Sequence, residues 1–154
     1  MPAFEGLFRR FPNCLFIETG TFRGYGVEEA IWAGFSLIIS IERAEHLYEY
    51  CKDRFKQFPN VHILLGNSGD LLSGIMDCND FQTTFWLDAH YSCQDTYNGE
   101  SPLFRELRAI NEHKIKTHSI LIDDISDYDI DEVKRVLSNY HMFQELENIL
   151  ICLP

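Results

Sequence analysis

Residues 14–26, Cys14-Leu-Phe-Ile-Glu-Thr-Gly-Thr-Phe-Arg-Gly-Tyr-Gly26, decide the fold. Cys14 to Ile17 is a short apolar run that reads as a buried strand, and it ends at an acid, Glu18. A turn of small residues follows, with Gly20, Thr21, Gly24 and Gly26. Val27, Ala30, Ile31 and Gly34 then fall at helical spacing, so a helix starts at once. Strand, glycine turn and helix together open a nucleotide-binding α/β unit. Glycine lets backbone approach a ligand, and the helix start offers unbonded N–H groups.

The dinucleotide fingerprint G-x-G-x-x-G fits this turn poorly. Counting from Gly24 and Gly26, the third glycine would fall on Glu29. The spacing present is Glu18-x-Gly20-x-x-x-Gly24, and an acid at the strand end opposes a pyrophosphate but suits a ligand carrying an ammonium group. This stretch resembles the first motif of class I S-adenosylmethionine-dependent methyltransferases. The resemblance implies that Glu18, Gly20, Thr21 and Gly24 line the cofactor, with Glu18 near its ammonium.

Outward from this turn, apolar runs and helical stripes alternate. Strands are expected at 37–41, 61–65, 83–87 and 119–122, and helices at 44–58, from 71, from 102 and from 130. A terminal hairpin pairs 142–146 with 149–153 around Glu147-Asn148. A lead-in helix is expected within 1–12, on the stripe Phe4, Leu7, Phe8 and Phe11. Such alternation predicts an α/β fold with one doubly wound, mostly parallel sheet. The resemblance makes it a seven-stranded Rossmann-like methyltransferase sheet closed by the antiparallel hairpin. A single domain over 1–154 is expected, with no appended substrate domain.

Composition narrows the partners. A net charge of −11, with no Lys/Arg cluster beyond the pair Arg9-Arg10, argues against a nucleic-acid substrate, which needs a basic face. It leaves a small-molecule or glycan acceptor open. Five cysteines without C-x-x-C spacing point to reduced thiols and a soluble, cytoplasmic protein, with Cys93 expected as the accessible one. No apolar run is long enough to span a membrane. Oligomeric state is not readable.

Every expected strand from first to fifth ends in a polar residue: Glu18, Glu42, Asn67, Asp88, Asp123. Ligands of open α/β sheets bind beyond those ends. Glu42, 22 residues past Gly20, suits a ribose diol. Asn67 and Ser68 stand where many methyltransferases carry an acid against adenine, a departure that an asparagine oxygen can still serve. A simple turn explains that pair as well. Asp88 and His90 share one side of the chain if it stays extended. Two adjacent acids, Asp123 and Asp124, would repel in a crevice already holding Asp88 unless a cation offsets them.

Leu-Asp-x-His at 87–90 with Ile-Asp-Asp at 122–124 is similar to the macrocin-type sugar O-methyltransferases, which depend on a metal. That similarity implies Mg²⁺ on Asp88, Asp123 and Asp124, and a base at His90, where the family often has aspartate. It implies methyl transfer to a hydroxyl of a sugar, glycan or small diol, with residues 91–100 as the acceptor-side loop and Tyr91 and Tyr97 available to stack on a ring. Two other readings stay open: a cofactor-binding module without catalysis, and a nicotinamide oxidoreductase, disfavoured by Glu18 and the missing glycine.

Overall fold

The computed structural model describes residues 6–89 and 101–154. Five parallel strands and an antiparallel pair form one sheet in the order β3-β2-β1-β4-β5-β7-β6. The strands are β1 (Leu15–Thr19), β2 (Leu37–Glu42), β3 (Val61–Leu65), β4 (Thr83–Leu87), β5 (Ser119–Ile122), β6 (Met142–Leu146) and β7 (Ile149–Leu153). The helices are α1 (Tyr25–Ala33), α2 (Glu45–Arg54), α3 (Ser68–Asp77), α4 (Leu103–Glu112) and α5 (Ile130–Val136). β1, β4 and β5 are buried along their whole length, and the apolar residues at the centre of each fit strands covered on both faces.

Side-chain alternation divides the core. Leu15 and Ile17 of β1 pack with Leu72 of α3, Leu103, Leu107 and Ile110 of α4, and Val133 of α5. Phe16 faces the other way, onto Val27 and Ala30 of α1, Cys51 of α2 and Trp86 of β4. The chain winds from β1 outward to β3, then returns to place β4 on the other side of β1. The rim between β1 and β4 is therefore the switch point where ligands of such sheets sit.

Several expected boundaries move. The lead-in helix shrinks, among the described residues, to a single 3-10 turn at Phe8–Arg10. Pro12 disfavours helical backbone at Phe11, and Leu7, Phe8 and Phe11 still bury themselves on the α1/α2 face. α2 stops at Arg54 rather than reaching Phe58. α3 begins at Ser68, three residues early, because the Asn67 side chain caps it by accepting the Gly69 N–H at 2.9 Å. α4 begins at Leu103, with Pro102 as the cap residue. Gly34 caps α1 in the left-handed region, and the Asp129 side chain caps α5. Cys93 lies outside the described residues, while Cys14 and Cys78 are exposed, so accessible thiols are not confined to position 93. Among the described residues no helix is long and apolar enough to cross a membrane.

Candidate functional site

The parallel ladder continues one residue past the strands. Gly20 N–H donates to Ile41 O at 2.9 Å, Gly66 N–H to Glu42 O at 2.8 Å, Asp88 N–H to Thr19 O and Asp123 N–H to Leu87 O, both at 3.0 Å. These bonds set Gly66, Gly20, Asp88 and Asp123 in a row along the C-terminal rim. Gly20 has φ +83°, and a Cβ there would lie 2.6 Å from the Asp88 carbonyl oxygen. The ends of β1 and β4 can come this close only because residue 20 has no side chain.

Glu18 is 2% exposed and points to the α1 side, where a Cβ on Gly26 would sit 1.9 Å from its Oε1. The Ser40 hydroxyl donates to its Oε2, and since that uses the one Ser40 proton, Thr21 Oγ1 donates to Ser40 at 2.6 Å. Burial pushes the Glu18 carboxyl well above its ordinary pKa; the Ser40 bond opposes this, and the nearby Asp88 and Glu42 charges add to it. Thr21 thus joins the glycine turn to β2 through Ser40. Gly24 takes the left-handed cap position of α1 at φ 81°.

Glu42 is held by backbone. Its Oε2 accepts the Phe22 N–H and its Oε1 the Ala44 N–H, each at 2.8 Å. Phe22, exposed and in the left-handed region at φ 49°, is tied further by Cys51 Sγ donating to its carbonyl at 3.2 Å. Arg54 donates to the Arg23 carbonyl and pairs with Glu28 at 2.8 Å. Loop 21–24 is thereby pinned to β2 and α2 around a carboxylate that keeps a second lone pair on each oxygen beyond its two fixed bonds. Such a group can take a vicinal diol without reorganising. The Asn67 oxygen, in contrast, already serves as a helix cap.

On the β4–β5 side the chain turns immediately after Asp123. Asp124 sits in the left-handed region at φ 50°, and its N–H bonds back to Asp123 Oδ1 at 2.9 Å. Asn148 in the β6–β7 turn donates to Asp124 Oδ1 at 3.0 Å, and accepts the Ile125 and Ser126 N–H groups. This turn is what two consecutive acids need to face one crevice. Even so, among the described residues no three His, Cys, Asp or Glu side chains stand close enough to hold a metal ion. As placed, Asp88, Asp123 and Asp124 are not a ready ligand set for Mg²⁺. His90, Tyr91 and Tyr97 lie outside the described residues.

One buried acid escaped the reading of strand ends. Glu106, in the first turn of α4, is 1% exposed and faces Ser68 and Thr19. Burial lifts its pKa to about 7, against the smaller lowering effects of those two hydroxyls and of Arg105. Its signal was present in the sequence: 103, 106, 107 and 110 form one helical stripe, and Glu106 is its only acid.

No known sequence family and no curated protein matches this chain significantly. Solved structures match its shape. A caffeoyl-CoA O-methyltransferase candidate from Staphylococcus aureus superposes with TM-score 0.66 at 18% identity, covering 97% of this chain and 79% of the other. An O-methyltransferase from Bacillus cereus, in complex with S-adenosylhomocysteine, gives 0.65 at 12% identity over 97% and 78%. A ribosomal protein L11 methylase from Lactobacillus delbrueckii subsp. bulgaricus gives 0.64 at 11% identity over 97% and 74%. The chain therefore has the Rossmann-like methyltransferase fold. Three such different descriptions on one fold leave the acceptor to be argued from the site.

Proposed function

We propose that this protein binds S-adenosylmethionine and transfers its methyl group to a hydroxyl oxygen of a small diol, sugar or glycan. The observation that carries the reading is Glu42, a carboxylate fixed by two backbone N–H bonds at the end of β2, beside a glycine turn at the switch point. Two further features suit that ligand. Glu18 and Glu42 are buried acids near Gly20 with no lysine or arginine bonded to either among the described residues. The fold is shared with a solved O-methyltransferase that holds S-adenosylhomocysteine.

The donor supplies a sulfonium-activated methyl group that needs no further activation. The chain's work is alignment and proton removal. Glu42 would hold the ribose hydroxyls, Gly20 would give backbone access, and the region of Glu18 would face the methionine ammonium. As the acceptor oxygen bonds to the methyl carbon, the carbon–sulfur bond breaks and the hydroxyl proton passes to a base. His90, two residues past Asp88, is proposed for that role, and its support is its place in the sequence. A divalent ion on Asp88, Asp123 and Asp124 is supported by their charge and by the turn at Asp124. Because the described carboxylates do not converge, we route no step through it.

Calorimetry with S-adenosylhomocysteine tests the cofactor. Glu42→Ala should lose tenfold to a hundredfold in affinity, on the order of 1–3 kcal/mol for unpaired ribose hydroxyls. Equal binding by both proteins would sink the assignment. A methyl-transfer assay over a panel of sugars and diols tests the chemistry. His90→Ala should slow turnover roughly 10²–10⁴-fold with donor affinity unchanged, and EDTA should abolish activity if the acids hold a metal. Normal turnover by the alanine variant would remove His90 as base, and full activity in EDTA would remove the metal.

A further inference from the structure

The carboxyl of Glu106 is sealed between three elements that meet at the rim. Ser68 opens α3, Thr19 ends β1 directly before Gly20, and Glu106 itself lies in the first turn of α4. Among the described residues neither Thr19 Oγ1 nor Glu106 Oε1 makes a well-formed hydrogen bond, although the Thr19 and Ser68 hydroxyls lie near enough to lower the Glu106 pKa in part. The nearest cation does not neutralise the acid, because Arg105 reaches outward to pair with Asp70 and lies over Gly69. The Tyr128 hydroxyl, which feels the Glu106 charge together with Asp124 and Asp127, is bonded to Ser101 at 2.9 Å. From the opposite face of β1, Glu18 adds a second buried acid, and no lysine or arginine bonds it among the described residues. Gly20 is thus flanked by buried carboxyls on both faces of the sheet.

Resting on the cofactor reading above, we propose that Glu106 makes the site charge-selective, favouring the sulfonium donor over the thioether product through a buried carboxyl that lacks a cationic partner behind Thr19 and Ser68. The two ligands differ by one methyl group and one positive charge. A cation above Gly20 stabilises the ionised carboxylate, so donor binding expels the Glu106 proton to solvent. Methyl transfer removes that positive charge, the carboxylate is again uncompensated, and it takes a proton back as product affinity falls. No oxidant or reductant is involved, and the proton returns to its starting place each turnover. Glu106 touches neither ligand on this reading; it acts through Thr19, Ser68 and the field at Gly20.

The experiment is calorimetry of the full chain with S-adenosylmethionine and S-adenosylhomocysteine at about pH 6 and about pH 8, on either side of the Glu106 value of about 7, in two buffers of different ionisation enthalpy. Comparing the two ligands cancels their shared ammonium and carboxylate. In the wild type the preference for the donor should grow roughly tenfold from the lower to the higher pH, the scale of one charge at intermediate range in an effective dielectric of about 20. Donor binding should release more protons than product binding. Glu106→Gln should show a flat preference and equal proton counts. A folded Glu106→Gln that keeps the wild-type pH dependence overturns the proposal, as does a wild type with equal proton counts for both ligands; both outcomes leave the cofactor reading standing. Binding of neither ligand at either pH overturns that reading and this one together. Should the glutamine variant fail to fold, the wild-type proton counts decide.

Discussion

Two glutamates of this protein are buried beside the same rim among different partners. At the end of β2, Glu42 has each oxygen taken by a backbone N–H. In the first turn of α4, Glu106 has one oxygen with no well-formed hydrogen bond among the described residues, and burial raises its pKa to about 7. A carboxylate that accepts backbone N–H bonds exchanges water for equivalent partners. One that faces two hydroxyls and apolar side chains is desolvated with only part of that cost offset. Burial alone therefore does not decide the state of an acid; the donors within reach do.

The largest effect expected from breaking this contrast is at Glu106. Its folded-state pKa is raised from an ordinary 4.5 to about 7, so the folded protein holds the proton more tightly. That stability is fully present below about pH 4.5 and is lost as pH rises through about 7, amounting to on the order of 3 kcal/mol. Glu106→Gln, permanently neutral, should match wild type near the lower limit and be more stable at about pH 8. Urea midpoints across that range check it, and a constant difference between the two proteins at every pH would show that Glu106 does not titrate there.

A smaller effect is expected at Glu42. Glu42→Gln keeps the shape but turns one acceptor into a donor facing an N–H, either that of Phe22 or that of Ala44. The loss should be about 1–3 kcal/mol at neutral pH, with loop 21–24 loosened. Amide exchange at Phe22 should speed up while that of the β1 core does not. Unchanged exchange at Phe22 would mean that Cys51 and Arg54 suffice to hold the loop.

The smallest effect belongs to Arg105, the cation beside Glu106. Its pair with Asp70 is half exposed on both sides, so Arg105→Ala should cost less than about 1 kcal/mol. A much larger loss in urea would show that Arg105 compensates Glu106 after all, and would dissolve the contrast between the two acids.

Local chemistry made much of this molecule legible. The strand cores at 37–41, 61–65, 83–87 and 119–122 are where the mostly apolar runs put them, and the left-handed Gly34, the capping side chain of Asp129 and the Glu147-Asn148 turn bound elements locally. Among the described residues the lead-in segment is only a 3-10 turn, because Pro12 disfavours helical backbone at Phe11. α3 starts three residues before the apolar stripe does, because Asn67, a turn residue by its local sequence, caps it.

By itself the sequence determined the order of strands and helices and the acids at the strand ends, since period, capping and turn propensity act over a few neighbouring residues. Only the tertiary structure decided that Thr19, Ser68 and Glu106, spread over 87 positions, share one buried space. It likewise decided that Glu42 would be met by the Phe22 N–H and Asp124 by Asn148. Those outcomes depend on which segments the winding of the sheet brings face to face. The polar partner of a buried group is set by that assembly, and its protonation follows from the partner.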